Sequence, residues 1–332
     1  MAKKFVGIDI GHKTLKLALV SGKTIIKSAV VDIPENLVRE GEVTSVEVVA
    51  ELIKIAMKDA GIKCRNAAVV LNSRQVYVKL LTVPVMTEQQ LLFNLPFEFN
   101  DYITGELGSY TFDYMVLEQR EQQIEDEEEK TETVLDIMAV AASTELIDET
   151  RIMLKKAGLK MTKAAPPVYS FIQVLRANKM EDSEDTFCFI DIGQESVRLH
   201  IFNGERYVVT RDLEVGLSAV ESKIAEYYNK DTHIAHTYFI TNYENCQNSE
   251  ICREAYTNIA VEMMRAINFY KFSNPDCKFE GVYLTGGGAA SEAFLKEIEN
   301  TLNMQVYNAG DLIRGNTSDD SHTLVQAYGA AL

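Results

Sequence analysis

A strand motif that occurs twice constrains the fold of this chain more than any other feature. Residues 6–11 read Val-Gly-Ile-Asp-Ile-Gly, and residues 189–193 repeat them as Phe-Ile-Asp-Ile-Gly. In each copy an aspartate, Asp9 or Asp191, ends an apolar strand, and a glycine follows two residues later. An apolar run that ends at turn-forming residues is typical of a buried strand. The duplication indicates two halves of related structure.

The segments after the two aspartates extend the repeat. A glycine-containing turn, at Gly22 and at Gly204, follows each aspartate at the same distance, and a third strand comes next. In the first half we predict strands at 4–11, 14–20 and 24–31, a helix capped by Thr44 and ended at Gly61, and strands at 66–71 and 76–83. This order describes a mixed sheet with a helix packed on it, an α/β fold.

The stretch 84–163 has the pattern of a small separate unit. It contains predicted helices at 87–99 and 143–156, with strands at 110–117 and 133–141 between them. The charged run at 118–130 is predicted to be a solvated loop that joins these strands, in preference to a site for a cation or a basic partner. Two prolines at 166 and 167 begin another helix, and the polar residues 181–185 are predicted to be a hinge.

The charge of the chain excludes several classes of function. The chain carries a net charge of −16 and has a pI near 4.9. Its length of 332 residues is typical of about two domains. Phosphate backbones and anionic lipids repel such a protein, so we expect no nucleic-acid partner and no direct membrane insertion. The sequence has no long uncharged apolar run and opens directly on a strand, which favours a cytoplasmic location.

The five cysteines of the chain include no Cys-x-x-Cys pair, so we expect reduced thiols without a disulfide or zinc site.

The repeated Asp-Ile-Gly turn suggests phosphate chemistry. A carboxylate at a strand end, beside backbone that no Cβ shields, suits phosphate oxygens and their Mg²⁺. A single such turn is more often a plain hairpin turn, and the second copy is what favours a pair of turns that clamp a phosphate.

A third element is the run Gly286-Gly287-Gly288, which follows an apolar strand and precedes a predicted helix at 291–302. This arrangement lets a nucleotide approach the backbone closely, although glycine-rich loops also serve as flexible turns. Neither the Gly-x-Gly-x-x-Gly nor the Gly-x-x-x-x-Gly-Lys-Ser/Thr motif is present. His233 and His236 share one helical face without a third ligand nearby, so an ordinary surface position is favoured over a metal site.

Together these motifs resemble the actin-like ATPase superfamily, and in particular FtsA and the related PilM family of type IV pilus assembly. The stretches that favour the PilM family are 7–11 with Lys16, 154–159, 262–270, 284–289 and 327–332. The resemblance implies an actin-like ATPase fold of the α/β class, with two duplicated ribonuclease-H-like halves around a nucleotide cleft. It also implies a small inserted subdomain of the FtsA and PilM type in the first half.

The resemblance assigns residues to an ATP and Mg²⁺ site. Asp9 and Asp191 would hold Mg²⁺ through water, and Asp191 would also help to orient an attacking water. The residues expected to contact the nucleotide are Gly11, His12, Lys13 and Lys16 at the first turn, Gly193 and Gly216 at the second, Glu262 and Arg265 at the ribose or adenine, and Gly286, Gly287 and Gly288 under the adenine. For Glu262 and Arg265 a plain surface ion pair, three residues apart on one helix, remains an equal alternative.

Two departures from the superfamily pattern favour nucleotide binding over brisk hydrolysis. His12 and Lys13 are bulky where relatives usually carry a small residue, and Gly216 stands alone where relatives often have two glycines. These side chains would either crowd a γ-phosphate or add charge that holds it. No general base is assigned, so the chain is expected to be an ATP-binding protein with slow or absent ATPase activity.

For the PilM family the resemblance implies a cytoplasmic scaffold at the inner face of the membrane. Such a scaffold binds the N-terminal cytoplasmic peptide of a PilN-like inner-membrane protein beside the inserted subdomain, and it connects to the pilus motor ATPases. We expect apolar residues near 76–99 to line that groove. A strongly acidic protein reaches an anionic membrane more readily through a membrane protein's tail than through lipid.

Two other functions within the superfamily are alternatives to this scaffold. One is a filament-forming cell-division protein like FtsA, whose amphipathic C-terminal helix has no counterpart in the apolar 328–332 segment. The other is a small-molecule kinase, for which the chain offers no sugar-binding constellation. The resemblance divides the chain into a first half at 1–83 and 164–182, an inserted subdomain at 84–163, a second-half core at 183–218 and 279–332, and a helical subdomain at 219–278.

Overall fold

The computed structural model describes residues 3–39, 41–124, 127–180, 183, 185–279, 281–315 and 320–332, with the backbone alone for 123, 124 and 127–130. The chain begins with β1 (Lys4–Ile10), β2 (Thr14–Ser21), β3 (Thr24–Asp32), β4 (Val38–Arg39), β5 (Glu42–Val43), α1 (Val46–Asp59) and β6 (Asn66–Val70). The predicted order of three strands, a helix and a fourth strand is confirmed, with the short β4–β5 hairpin added before α1.

The ends of α1 show which local signals were correct. Gly61 has a φ of +60° just after the helix, and the Ile62 N–H donates to the Met57 carbonyl oxygen at 2.8 Å, as a glycine C-terminal cap requires. The predicted N-cap was wrong by one residue. Ser45 precedes the helix, whereas the Thr44 hydroxyl donates to the Asn36 carbonyl oxygen at 2.6 Å.

The middle of the chain forms β7 (Val76–Pro84), α2 (Glu88–Glu98), β8 (Tyr110–Ile124), β9 (Glu127–Ser143), α3 (Thr144–Lys156), β10 (Lys160–Ala165) and α4 (Pro167–Ala177). β7, β9 and β8 make an antiparallel three-stranded sheet in that order. One face of this sheet packs on α2, through Leu91 and Leu95 of the helix and Ile137 and Ala139 of β9.

The acidic segment at 118–130 is not a loop in its described part. β8 and β9 continue through it as a paired ribbon, with Glu118 opposite Asp136 and Glu121 opposite Thr133. Backbone pairing does not depend on side-chain charge, and side chains that alternate across a two-stranded ribbon can remain solvated. The turn at 125–126 lies outside the described residues, as do three of the five residues of the predicted 181–185 hinge.

The second half contains β11 (Thr186–Ile192), β12 (Val197–Asn203), β13 (Arg206–Leu213), α5 (Leu217–Tyr228), α6 (Thr232–Ile240), α7 (Glu250–Ser273), β14 (Gly281–Thr285), α8 (Glu292–Leu302), β15 (Gln305–Asn308) and α9 (Val325–Ala331). No helix within the described ranges is both long enough and apolar enough to cross a membrane.

The two large sheets are built to one plan. The first has the strand order β3-β2-β1-β6-β10 and the second the order β13-β12-β11-β14-β15. In both, the first three strands in chain order are antiparallel neighbours, and the remaining two are parallel additions. The duplication predicted from the sequence therefore extends over five strands.

Because β10 completes the first sheet, the expected limits of the inserted subdomain shift. The separate sheet runs from Val76 to Ser143 instead of occupying 84–163. α3 packs with Met153 and Leu154 in the core of the first half. Helix–strand periodicity could not distinguish these elements from an insertion, since only strand pairing assigns a strand to a sheet. The division of the chain into domains otherwise stays a prediction.

The last helix, α9, lies between the two halves. A Cβ on Gly7 of β1 would stand 1.7 Å from the Ala327 carbonyl oxygen, and one on Gly329 would stand 2.2 Å from the Ser170 carbonyl oxygen. Two glycines, one on β1 and one on α9 itself, therefore let this helix approach β1 and α4 at backbone contact. The core around it joins residues of both sheets, such as Ala18 of β2 and Phe189 of β11.

Candidate functional site

The first Asp-Gly turn places a carboxylate and an ammonium group side by side. Asp9 on β1 is directly opposite Lys16 on β2, and the Lys16 Nζ lies 3.2 Å from Asp9 Oδ2. Both side chains are buried. Asn72, which follows β6, donates from Nδ2 to Asp9 Oδ1 at 2.8 Å. Both oxygens of the Asp9 carboxylate are thus held in place.

Gly11 lies inside the first turn, and its contact with a nucleotide stays a prediction. Its N–H donates to the Thr14 carbonyl oxygen at 3.0 Å, so this group is used inside the turn. A Cβ on Gly11 would stand 2.6 Å from the Lys16 Nζ. The glycine therefore leaves room for the lysine ammonium beside the turn.

The second turn repeats this geometry with different partners. The Gly193 N–H donates to the Ser196 carbonyl oxygen at 3.0 Å, as in the first turn. Asp191 on β11 is directly opposite Arg198 on β12. Gln326 of α9 donates from Nε2 to Asp191 Oδ2 at 2.8 Å. The Asp191 carboxylate is therefore held by a side chain of the last helix, α9.

The two turns face each other. Burial raises the pKa of the Asp191 carboxyl above its ordinary value, and the negative charge of Asp9 raises it further. The positive charges of Arg198 and Lys16 act in the opposite direction. At the rim, His12 Nε2 of the first turn lies 3.6 Å from the Glu195 Oε1 of the second. Asp9, Lys16 and Asp191 thus form one electrostatic group between the two sheets.

The bulky residues after Gly11 turn toward acidic partners. His12 pairs with Glu195 as described, and Lys13 Nζ lies 3.4 Å from Glu35 Oε1. His233 on α6 approaches the same Glu35 oxygen through Nδ1 at 3.2 Å, and Lys13, with His233, lowers the pKa of Glu35. This second contact links the first half to α6.

Gly216 lets the start of α5 pack closely against the second turn. A Cβ there would stand 2.5 Å from the Gln194 carbonyl oxygen. The Leu217 N–H donates to the Gly193 carbonyl oxygen at 3.1 Å and the Ser218 N–H to that of Gln194 at 2.9 Å. These two amides at the start of α5 hold the turn and are not free for a phosphate.

A buried carboxylate connects the second turn to α6. Glu221 of α5 accepts from the Gln194 Nε2 at 2.6 Å and lies 2.6 Å from the His236 Nδ1. His233 and His236 thus contact separate glutamates, Glu35 and Glu221.

The glycine loop after β14 lies against the second turn. Gly286 has a φ of +87°, and a Cβ there would stand 2.4 Å from Asp191 Oδ1. A Cβ on Gly288 would stand 2.2 Å from the Ile192 side chain. Gly287 is exposed, and the nearest atom to its Cβ position is 3.8 Å away. Two glycines are thus required for packing, and the middle one presents open backbone.

Glu262 and Arg265 of α7 form an ion pair with each other. Arg265 is exposed and Glu262 partly exposed. Within the described residues, the structure pairs these two side chains with each other. The surface-pair alternative is thus present, and a role at the ribose or adenine stays a prediction.

The group of charges fits a nucleotide-bound magnesium ion better than a protein-only metal site. Within the described residues, no cluster of three or more His, Cys, Asp or Glu side chains could hold a metal ion. Mg²⁺ bound with phosphates needs one or two carboxylates, with waters and phosphate oxygens as its other ligands. Asp9 and Asp191 would suit this requirement, and Gln326 Oε1 beside Asp191, which has no partner among the described residues, is a further buried acceptor.

Three side chains at the site were missed by sequence analysis. Arg198 follows Asp191 at the distance at which Lys16 follows Asp9, so the repeat itself could have identified it. Asn72 and Gln326 reach the site from β6 and from the last helix, and no local motif marks either one.

The fold and the paired turns define a class of protein. The structure has the actin-like ATPase fold, and solved structures of that fold are similar to it. A PilM–PilN type IV pilus biogenesis complex matches with a TM-score of 0.82 and 21% identity, covering 100% of this chain and 98% of that chain. The ethanolamine utilization protein EutJ from Carboxydothermus hydrogenoformans matches with a TM-score of 0.61 and 14% identity, over 100% and 90% of the two chains. MreB 5 of Spiroplasma citri, bound to AMPPNP, matches with a TM-score of 0.54 and 12% identity, over 99% and 95%.

The sequence narrows this class to one family. A family model described as type IV pilus assembly protein PilM matches residues 7–320. The chain belongs to the PilM family of type IV pilus assembly proteins. No curated protein matches it significantly.

Proposed function

We propose that this PilM-family chain binds ATP with Mg²⁺ between its two Asp-Gly turns. The observation that carries the proposal is the convergence of Asp9, Lys16 and Asp191 from the two sheets. Asp9 and Asp191 would hold Mg²⁺ through water, Asp191 would also orient a water, and Lys16 would neutralise phosphate charge. The bound Mg²⁺ would supply charge that stabilises the phosphate oxygens.

The remaining predicted contacts complete the nucleotide site. Gly287 offers exposed backbone beside the second turn, which suits the face of an adenine. Glu262 and Arg265, which pair with each other on α7, would contact the ribose or adenine. His12 and Lys13 are already paired with acidic side chains, and no general base is assigned. We therefore propose tight nucleotide binding with slow turnover.

Calorimetry with Mg-ATP tests this site. Titration of the wild type, Asp9→Ala and Asp191→Ala, with phosphate release measured in the same samples, should show binding by the wild type alone and little phosphate. Asp113→Ala, which removes an exposed carboxylate on β8, should bind like the wild type. Wild-type protein that binds no Mg-ATP, or variants that bind as well as it does, would contradict the proposal.

We further propose that the chain binds the N-terminal cytoplasmic peptide of a PilN-like inner-membrane protein. The relative in the PilM–PilN complex and membership in the PilM family support a PilN-like partner. Such binding would hold this acidic chain at the cytoplasmic face of the membrane without lipid contact, and it would place the chain where it can connect to the pilus motor ATPases.

A cavity at the base of the inserted sheet is the site that we propose for the peptide. Its volume is about 380 Å³, and it lies between the β4–β5 hairpin, the end of β6 and the start of α3. Gln75 lines it just before β7 begins, and Glu145 lines it just after β9 ends. The cavity therefore adjoins both connections of the inserted sheet, and the expected 76–99 segment does not line it.

The lining of this cavity indicates the chemistry of the peptide. Three acidic residues, Glu42, Glu145 and Glu149, line it against one basic residue, Arg39, and the apolar residues include Val46 and Met153. Glu42 is held in place, because its Oε1 accepts from the Ser73 hydroxyl at 3.0 Å and from the Gln75 amide at 2.6 Å. An apolar residue next to an ammonium or guanidinium group would satisfy both features.

Peptide binding can be tested separately from nucleotide binding. A labelled synthetic peptide of the first residues of the PilN-like protein encoded with this chain should bind to the wild type in a fluorescence-anisotropy titration. Glu149→Lys should weaken binding by about tenfold, as expected for one charge pair of about 1.4 kcal/mol. The matched change Glu254→Lys, at an exposed residue of α7, should have no effect on peptide affinity. Equal affinities for Glu149→Lys and the wild type would exclude this cavity.

A further inference from the structure

Gln326 lies buried at the centre of the proposed nucleotide site, although no sequence motif marks it. Its side chain is 5% exposed, and its Nε2 donates to Asp191 Oδ2 at 2.8 Å. The carbonyl oxygen of the same amide, Oε1, is buried and has no hydrogen-bond partner among the residues that the structure describes. A buried acceptor without a partner is costly in a folded protein, so this one needs an explanation.

The position of Gln326 is fixed by its backbone. It occupies the first turn of α9, directly before Ala327, whose carbonyl oxygen is packed against Gly7. Gly7 and Asp9 lie two residues apart on β1, so they face the same side of the sheet. The close approach at Gly7 therefore sets the distance between Gln326 and the Asp9–Lys16 pair.

The free acceptor is placed to accept a hydrogen bond from a water molecule that is bound to a cation. Oε1 is only the width of one amide group from Nε2, so it lies beside Asp191. A water bound to Mg²⁺ directs its hydrogens away from the metal and needs acceptors around it. Asp9 accepts from Lys16 and Asn72, whereas no described residue donates to Gln326 Oε1.

We propose that Gln326 is a positioning residue of the nucleotide site, which holds Asp191 through Nε2 and accepts a hydrogen bond through Oε1 from a water on the metal ion. This inference rests on the proposed ATP and Mg²⁺ site and adds a residue to it. Gln326 touches the proposed ligand only through Asp191 and water, so it acts on the metal and not on the nucleotide base.

The test compares nucleotide binding with and without the metal. Calorimetric affinities for ADP would be measured in Mg²⁺ and in EDTA for the wild type and Gln326→Met, a variant of similar length without the amide. We expect the variant to lose about tenfold in affinity in Mg²⁺ and nothing in EDTA. Gln247→Met removes another amide, whose Nε2 donates to the Phe239 carbonyl oxygen and whose Oε1 accepts from the Ser291 hydroxyl, and it should leave both affinities unchanged.

A second readout does not need nucleotide. NMR titration of the aspartate carboxyl carbons, with Asp191→Asn for assignment, should show a higher pKa for Asp191 in Gln326→Met, because a donor to the ionised carboxylate is lost. If Gln326→Met does not fold, Gln326→Glu replaces it and should also raise the Asp191 pKa, through like charge.

The outcomes are distinct. Loss of the Mg²⁺-dependent affinity together with a raised Asp191 pKa supports the inference. Unchanged metal dependence overturns it, even if the variant melts at a lower temperature. A wild type that binds ADP in neither buffer overturns the proposed function and the metal part of the inference, and an unchanged Asp191 pKa would then overturn the rest.

Discussion

At the scale of single residues, the two aspartates of the repeat occupy unequal environments. Asp9 is paired with Lys16 at 3.2 Å and accepts from Asn72. Asp191 receives a hydrogen bond from Gln326, while Arg198, opposite it on β12, is itself paired with Asp212 at 2.9 Å. The same sequence motif therefore gives one carboxylate in an ion pair with lysine and one whose pKa is raised by burial.

Asp191→Asn should make the ligand-free protein more stable at neutral pH. The folded-state pKa of Asp191 is raised above 3.8, so the folded protein favours the protonated carboxyl and loses stability as the pH rises through that pKa. Asparagine removes this loss, and we expect a gain of about 1 kcal/mol, the size common for such replacements at functional sites. Chemical denaturation at pH 7 and near pH 3.8 measures it. The gain should be absent at the lower pH, and a gain equal at both would exclude this cause.

At the scale of secondary-structure elements, close packing around α9 and α4 decides how the halves meet. β12 contributes His200, whose ring lies 4.9 Å from that of Phe171 on α4 and whose Nδ1 lies 2.8 Å from the Thr210 hydroxyl. Burial lowers the pKa of His200 to about 3. β1 contributes Gly7, where α9 comes to within backbone contact.

Gly7→Ala should prevent α9 from docking on β1. The added Cβ would lie 1.7 Å from a backbone oxygen, which cannot move aside as a flexible side chain can. We expect a loss of about 3 kcal/mol or more in the free energy of unfolding, the upper end for overpacked sites. Gly108→Ala is the control, because nothing lies within 4 Å of its Cβ position. Equal urea midpoints for the two variants would show that α9 does not contact β1 in this way.

His200 should make stability fall in mild acid. Its folded-state pKa of about 3 is below the ordinary value of 6.5, so the unfolded chain takes up a proton first as the pH drops between these values. One such group accounts for a slope of up to about 1.4 kcal/mol per pH unit. Thermal unfolding of the wild type and His200→Leu between pH 7 and pH 4 should give a shallower dependence for the variant. Parallel curves would mean that His200 is protonated in the folded protein.

At the scale of the whole molecule, the inserted sheet contacts both halves. Asp136 on β9 is buried and accepts from Arg120 of β8 at 2.9 Å. Arg206, at the start of β13 in the second half, lies 3.0 Å from the same carboxylate. The inserted sheet is also part of the core between the halves, through Met138 of β9. The inserted sheet is thus connected to the second half by an ion pair and by apolar packing.

Asp136→Asn should loosen this connection. Arg120 lowers the pKa of Asp136, mainly by hydrogen bonding, so its contribution to stability is present above pH 3.8 and is lost as the pH falls through the lowered pKa. Because both arginines are partly exposed, we expect a loss of about 1–2 kcal/mol at pH 7, below the value for a fully buried pair. Hydrogen exchange should become faster in β8, β9 and β13.

The control for this prediction is Asp113→Asn, an exposed carboxylate on the same sheet. It should leave exchange unchanged. If Asp136→Asn accelerates exchange in β8 and β9 but not in β13, the ion pair does not link the inserted sheet to the second half.

The sequence by itself determined the duplicated turns of this protein and most of the strands around them. The Asp-Ile-Gly strands and the Gly61 cap depend on short-range patterns and backbone preferences, which are local in the chain. The prediction of a loop for the acidic segment was wrong. A high charge indicates that side chains are solvated, and the side chains of a two-stranded ribbon can be solvated too.

Only the tertiary structure decided which distant residues meet. Strand β10 belongs to the first sheet because it pairs with β6, a contact across about ninety residues that leaves no local trace. Asn72 and Gln326 enter the site for the same reason, since β6 and α9 are brought to the two aspartates by packing alone. The repeat could therefore identify the carboxylates, whereas their partners followed from the close approach of α9 to β1.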